Sequence, residues 1–128
     1  MMRYKDWVDA IVKTLEEFSS EEFQERVWLR GDGPQVSSYE EAVNRFFDDY
    51  DADELINVQW RDAGLTHDER NKLVAFRETL EAFNKLLPKV PHPAEVLGNP
   101  GWPRVRAAAR NALDGFAKRA RVSGRDDG

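Results

Sequence analysis

The chain contains no cysteine. That removes disulfides, thiolate metal sites and thiol nucleophiles, all of which need the sulfur. Long hydrophobic runs are missing as well. Charged residues interrupt the sequence throughout, so nothing approaches the roughly 18 apolar residues of a membrane span. Nor is there the apolar stretch of roughly 7 to 15 residues that a secretory leader carries. With neither segment and no cysteine, the sequence predicts a cytoplasmic protein. Phosphate-cradling glycines are also wanting: Gly31-Asp32-Gly33 lacks a third glycine and a preceding strand, so it is neither a dinucleotide fingerprint nor a phosphate loop. No Gly-x-Ser-x-Gly elbow presents a serine nucleophile. Histidine is scarce, with only His67 and His92. His67 has Asp68 and Glu69 beside it, which could tune an imidazole, and His92 sits in a proline-rich connector. No catalytic residue, cofactor or metal centre is predicted from these parts.

What is present is apolar bulk. Hydrophobic residues make up 41% of 128 residues, including seven Phe and four Trp, against 34% charged. That suits one core and is too apolar for a disordered chain. In the first segment Tyr4, Trp7, Val8, Ile11, Val12, Leu15 and Phe18 recur at steps of three and four, one face of a helix. Asp6, Asp9, Lys13, Glu16 and Glu17 take the opposite face. Tyr39, Val43, Phe46, Phe47 and Tyr50 form a second stripe, with Leu55 and Ile56 in a further helix that Gly64 ends. Leu73, Phe76, Leu80, Phe83 and Leu87 form a third stripe, too short for an extended coiled coil and suited to bundle packing. Trp102, Val105, Ala109, Ala112, Leu113, Phe116 and Ala120 form a fourth.

Helix starts are marked by capping pairs. Ser19 with Glu22, Ser38 with Glu41 or Ser37 with Glu40, and Thr66 with Glu69 each have the spacing of a capping box. Asp51 to Glu54 supplies carboxylates to another helix start. Pro93 to Leu97 allows one helical turn, and Asn99-Pro100 opens the last helix. The stretch Val27-Trp28-Leu29 fits either a last helical turn or a short extended piece. The sequence therefore predicts an all-α fold: a single compact bundle of about six or seven helices over residues 1–123, stopped at Gly124, with 124–128 frayed.

Charge is unevenly spread. Residues 1–57 hold 15 acidic and 6 basic side chains, a balance of −9, and the remainder brings the total to −5. The densest run is Asp48-Asp49-Tyr50-Asp51-Ala52-Asp53-Glu54. Asp49, Asp51 and Asp53 match the opening of an EF-hand loop, but Glu54 stands where glycine is required and Trp60 where a bidentate carboxylate is required. Carboxylate pairs Glu22/Glu25 and Glu78/Glu81 have the spacing used in metal-dependent phosphohydrolases, without a Glu-x-x-Asp partner. Arg106, Arg110, Lys118, Arg121 and Arg125 fall on one side of the last helix, a stripe that could meet phosphates or pack on the acidic helices. Aromatic anchors interleaved with carboxylates suit a basic protein partner. Asp48, Asp49, Tyr50, Asp51, Asp53, Glu54 and Trp60 are therefore the predicted partner-binding residues. The functional expectation is a non-enzymatic binding module, an acidic inhibitor of the immunity or antitoxin type. The alternatives are a metal-dependent phosphohydrolase and a DNA-binding regulator.

Overall fold

The apolar stripes become helices packed around one core. The computed structural model describes the backbone of residues 3–127 and the side chains of residues 3–117. In chain order the elements are α1 (Tyr4–Ser19), α2 (Glu21–Phe23), α3 (Tyr39–Asn44), α4 (Ala52–Glu54), α5 (His67–Lys85), α6 (Pro93–Leu97) and α7 (Trp102–Asp127). The fold is all-α, with no strand among the described residues. Helix α7 is the spine, packed along both α1 and α5. It passes through Gly124, where the sequence reading placed its end. A lone glycine inside a helix costs only about 1 kcal/mol and does not by itself stop one. Lys118, Ala120, Arg121 and Arg125 lie outside the residues whose side chains are described.

The short helices α2, α3 and α4 each run on into a π-helical segment, at Gln24–Leu29, Arg45–Asp49 and Leu55–Gln59. The wider turn shows in bonds five residues apart, from Arg30 N–H to the Glu25 carbonyl at 3.1 Å and from Tyr50 N–H to the Arg45 carbonyl at 2.8 Å. This settles the ambiguous Val27-Trp28-Leu29 as helical. A π turn rotates successive side chains less than an α turn, so patterns of three and four blur there.

Two of the caps form as read. Ser38 accepts from the Glu41 amide at 3.1 Å, and Thr66 with Glu69 makes a complete capping box. The first does not. Ser20, not Ser19, accepts from the Phe23 amide, while the Ser19 hydroxyl donates to the Glu16 carbonyl inside α1. Ser19 is still helical, so its side chain cannot cap the next element. His92 is itself a cap, its ring nitrogen accepting from the Ala94 amide and its own amide donating to Glu95.

The core is aromatic at its centre. Trp102, fully buried, meets Phe83 at 5.2 Å, Trp28 at 5.7 Å, Tyr39 at 5.8 Å and Phe18 at 6.4 Å between ring centroids. None of these pairs is a flat face-to-face sandwich, as the ring quadrupoles prefer. Phe76 joins Phe18 to Phe46 at 5.2 Å on either side.

Two buried polar side chains tie this cluster together. Gln24 is fully buried, its amide donating to the Glu17 and Phe18 carbonyls at 2.8 Å each and its oxygen accepting from the Trp102 indole at 2.9 Å. Glu17, read from sequence as part of a solvated face, is instead 8% exposed. Its carboxylate accepts from the Trp28 indole at 2.8 Å and from the Ser37 hydroxyl, and pairs with Arg45 at 3.1 Å. A charge can be buried when its lone pairs are met this way.

Replacing Gln24 with Leu keeps the volume but strands the Trp102 indole N–H and takes a hydrogen bond from each of the Glu17 and Phe18 carbonyls. The expected loss is about 2–4 kcal/mol in urea unfolding, and a loss under about 0.5 kcal/mol would show that the amide is not integral to the core. Tyr39 gives a pH signature. Burial pushes its phenol above the ordinary value of 10.0. In the unfolded chain the phenol ionises near that value, while in the folded chain it keeps its proton. Stability should therefore be intact below about pH 10 and fall as pH rises beyond it, by up to about 1.4 kcal/mol per pH unit from this group. In a comparison of unfolding curves from pH 9 to 11, Tyr39→Phe should flatten that decline; an unchanged slope would assign it elsewhere.

Candidate functional site

The N-terminal end of α1 and the chain from 49 to 59 enclose a groove of about 600 Å³ lined by Arg3, Tyr4, Trp7, Asp49, Tyr50, Asp51, Glu54 and Gln59. Its size is in the ~300–1,000 Å³ range of side-chain and small-ligand sites. The lining joins three aromatic rings to three carboxylates. Trp7 is half-buried and fixed, its indole N–H donating to the Tyr50 carbonyl, and its ring lies 11° from parallel with Tyr4 at 6.3 Å. The Tyr4 hydroxyl donates to Gln59 Oε1 at 2.9 Å, and Gln59 Nε2 donates to Glu54 at 3.1 Å. A relay of two hydrogen bonds thus holds one wall of the groove in place.

Local backbone sets the carboxylates. The second π-helical segment closes on Tyr50, and Asp51 then adopts φ 43°, the left-handed conformation that Asp tolerates better than most residues. Asp51 occupies the N-cap position of α4, the helix start that its carboxylate marks in the sequence, but makes no side-chain cap bond. Its carboxylate and that of Asp49 are exposed, and neither has an ion-pair partner among the described residues.

Of the predicted partner-binding residues, the fold brings Asp49, Tyr50, Asp51 and Glu54 together and leaves three outside the groove. Asp48 is exposed but does not line it. Asp53 pairs with Arg77 at 3.0 Å, and Asn57 accepts from the same guanidinium at 3.0 Å. Trp60 carries the guanidinium groups of Arg61 at 5.0 Å and Arg70 at 5.6 Å over its ring, with His67 packed edgewise at 4.9 Å. Phe46, in the same apolar stripe as Tyr50, is fully buried core.

Tyr4, Trp7, Arg3 and Gln59 were missed as site residues. Tyr4 and Trp7 carry the same three-residue spacing as the core positions behind them, and only their place on the first turn hinted at another use. Tyr4 in fact remains 41% exposed. Gln59 bore no signal at all.

Several other charged features are engaged within the fold. Glu22 pairs with Arg26 at 2.7 Å, and Glu81 approaches Arg77 at 3.8 Å. Arg106, part of the basic stripe, meets Glu21 at 3.5 Å, so there the two oppositely charged halves of the chain do attract within the fold. Arg110 is exposed. No three Asp, Glu or His side chains converge as a metal-binding group among the described residues. No helix among them is long and apolar enough to cross a membrane.

Neither a curated protein nor a solved structure matches the chain. A family model does match, over residues 2–122, and the chain belongs to that family, described as Domain of unknown function (DUF7945).

Proposed function

We propose that this chain is a non-enzymatic protein-binding module that captures a basic partner on its acidic-aromatic groove, in the manner of an inhibitor of the immunity or antitoxin type. The observation that supports this reading is the coincidence of three aromatic rings with Asp49 and Asp51, carboxylates with no ion-pair partner among the described residues. A carboxylate already paired must break a bond before meeting an outside cation, whereas an unpaired one attracts it directly and speeds encounter. Aromatic rings supply the buried anchor area that carries binding energy. An inhibitor built this way works by covering a cationic surface that its partner needs for its own activity.

The rival readings draw less support. For a metal-dependent phosphohydrolase, Glu22 and Glu81, one member of each carboxylate pair, engage arginines, and no three Asp, Glu or His side chains converge among the described residues. For a DNA-binding regulator, Arg106 is engaged by Glu21. Calorimetric titration with Mg²⁺ at millimolar concentration should give no saturable heat; a one-to-one isotherm would revive the phosphohydrolase.

The partner reading is tested by affinity purification at low salt with wild type and the Asp49→Lys/Asp51→Lys variant side by side. The expected result is a basic protein, of pI above roughly 9 by analogy with polyanion-binding surfaces, that wild type retains and the variant releases. Trp60→Ala, outside the groove, should retain it. A partner held equally by the double variant would overturn the assignment of this face.

A further inference from the structure

We propose that the groove is an arginine socket: it takes the guanidinium of one exposed arginine, stacked on the Trp7, Tyr50 and Tyr4 rings and paired with Asp49 and Asp51. This deepens the partner reading and rests on it, because it names the side chain through which a basic protein would be held.

The choice of guanidinium follows from the lining. Aromatic faces attract a cation through their quadrupole, and a planar delocalised cation also stacks on them. A guanidinium sheds water more readily than an ammonium, so it suits a site that is part apolar wall and part carboxylate. Its forked donors can engage two oxygens of one carboxylate or bridge two carboxylates. Asp49 and Asp51 flank Tyr50 in sequence and all three line the groove, so ring and carboxylates come as one unit. Glu54 is oriented by Gln59, which is itself held by Tyr4, so the third carboxylate is positioned before any ligand arrives. Preorganisation of this kind lowers the ordering cost of binding.

The guanidinium of the one arginine among the lining residues is turned to another partner. Arg3 stands among the lining residues, but it pairs with Asp6 at 3.3 Å and its side chain is 82% exposed. The other cations near aromatic rings are elsewhere, Arg26 over Phe23 and Arg61 and Arg70 over Trp60. They show the same cation-on-ring pairing satisfied internally, whereas the Trp7 and Tyr50 rings have no such partner among the described residues.

The experiment is a titration of the full ¹⁵N-labelled chain, followed at its four indole N–H signals, with N-acetyl-arginine methylamide. N-acetyl-lysine methylamide and N-acetyl-citrulline methylamide serve as the ammonium and neutral comparisons. The Trp7 signal should shift saturably with the arginine derivative. The Trp28 and Trp102 signals, bonded internally to Glu17 and Gln24, should stay still. Arginine should bind at least about fivefold more tightly than citrulline or lysine, as charge-assisted and stacked contacts require. Asp49→Asn/Asp51→Asn should abolish the shift; both positions are exposed, and Asn adopts the left-handed conformation as readily as Asp. Equal shifts with arginine and citrulline, equal affinity for lysine, or a shift that survives the double variant would each overturn the socket. The two proposals fail separately. If arginine does not bind but the lysine double variant still releases a protein partner, the face is an interface without a socket. If arginine binds but that variant keeps its partner, the socket stands and the partner reading falls.

Discussion

The Gln24 amide is the point through which the rest of the fold is joined. It satisfies the last carbonyls of α1 on one side and the indole of Trp102 on the other, across 78 positions of sequence. A buried amide left unpaired costs more than its bonds return when made. The penalty therefore acts as a specification: α7 must set the Trp102 indole against Gln24 at the end of α1. Glu17, whose own carbonyl accepts from Gln24, adds a second such specification. Its carboxylate collects Trp28, Ser37 and Arg45 and so ties the first π-helical segment and the start of α3 to α1. The aromatic cluster supplies the bulk of the burial, and these two residues decide its arrangement.

The groove inherits its geometry from that arrangement. Trp7 is carried by α1, and Asp49 to Glu54 follow α3, which Glu17 anchors to α1 through Arg45. The Trp7 indole to Tyr50 carbonyl bond closes the connection at the far end. A surface that looks like a loop decorated with acids is therefore braced by the core at both edges.

Much of the fold could be read from residue spacing. The stripes of α5 and α7 are buried as their periodicity implied, at Leu73, Phe76, Leu80 and Phe83 and at Trp102, Val105, Ala109 and Ala112. Thr66 and Glu69 cap as their types and spacing required. Legibility ended where local pattern gives way to tertiary pairing. Glu17 looks like any helix-surface glutamate, because nothing nearby in sequence reveals the Trp28, Ser37 and Arg45 that let it be buried. At the candidate site the acidic run itself was visible. Which acids would be left unpaired was not, since Arg77, 24 positions beyond Asp53, makes that selection. Tyr4 and Trp7 were absorbed into a core stripe that their place on the first turn lets them partly leave. Periodicity also assumes a uniform helix, and three π-helical segments break that assumption.

Those segments make the chain sensitive to where its length changes, in a way that its composition does not suggest. A π turn holds one residue more than an α turn of the same span. Removing a single residue between Arg45 and Asp49 would let the helix relax to the commoner form while its hydrophobic content stayed almost unchanged. The turn would keep its span and the residues after it nearly their phase, whereas the same deletion inside α3 would swing them by about 100° about the helix axis, carrying Tyr50 and Asp51 off the face they share with Trp7. Substitutions along this stretch test chemistry one side chain at a time. A one-residue deletion in α3 tests phase, and phase is what places the Asp49 and Asp51 carboxylates beside a ring.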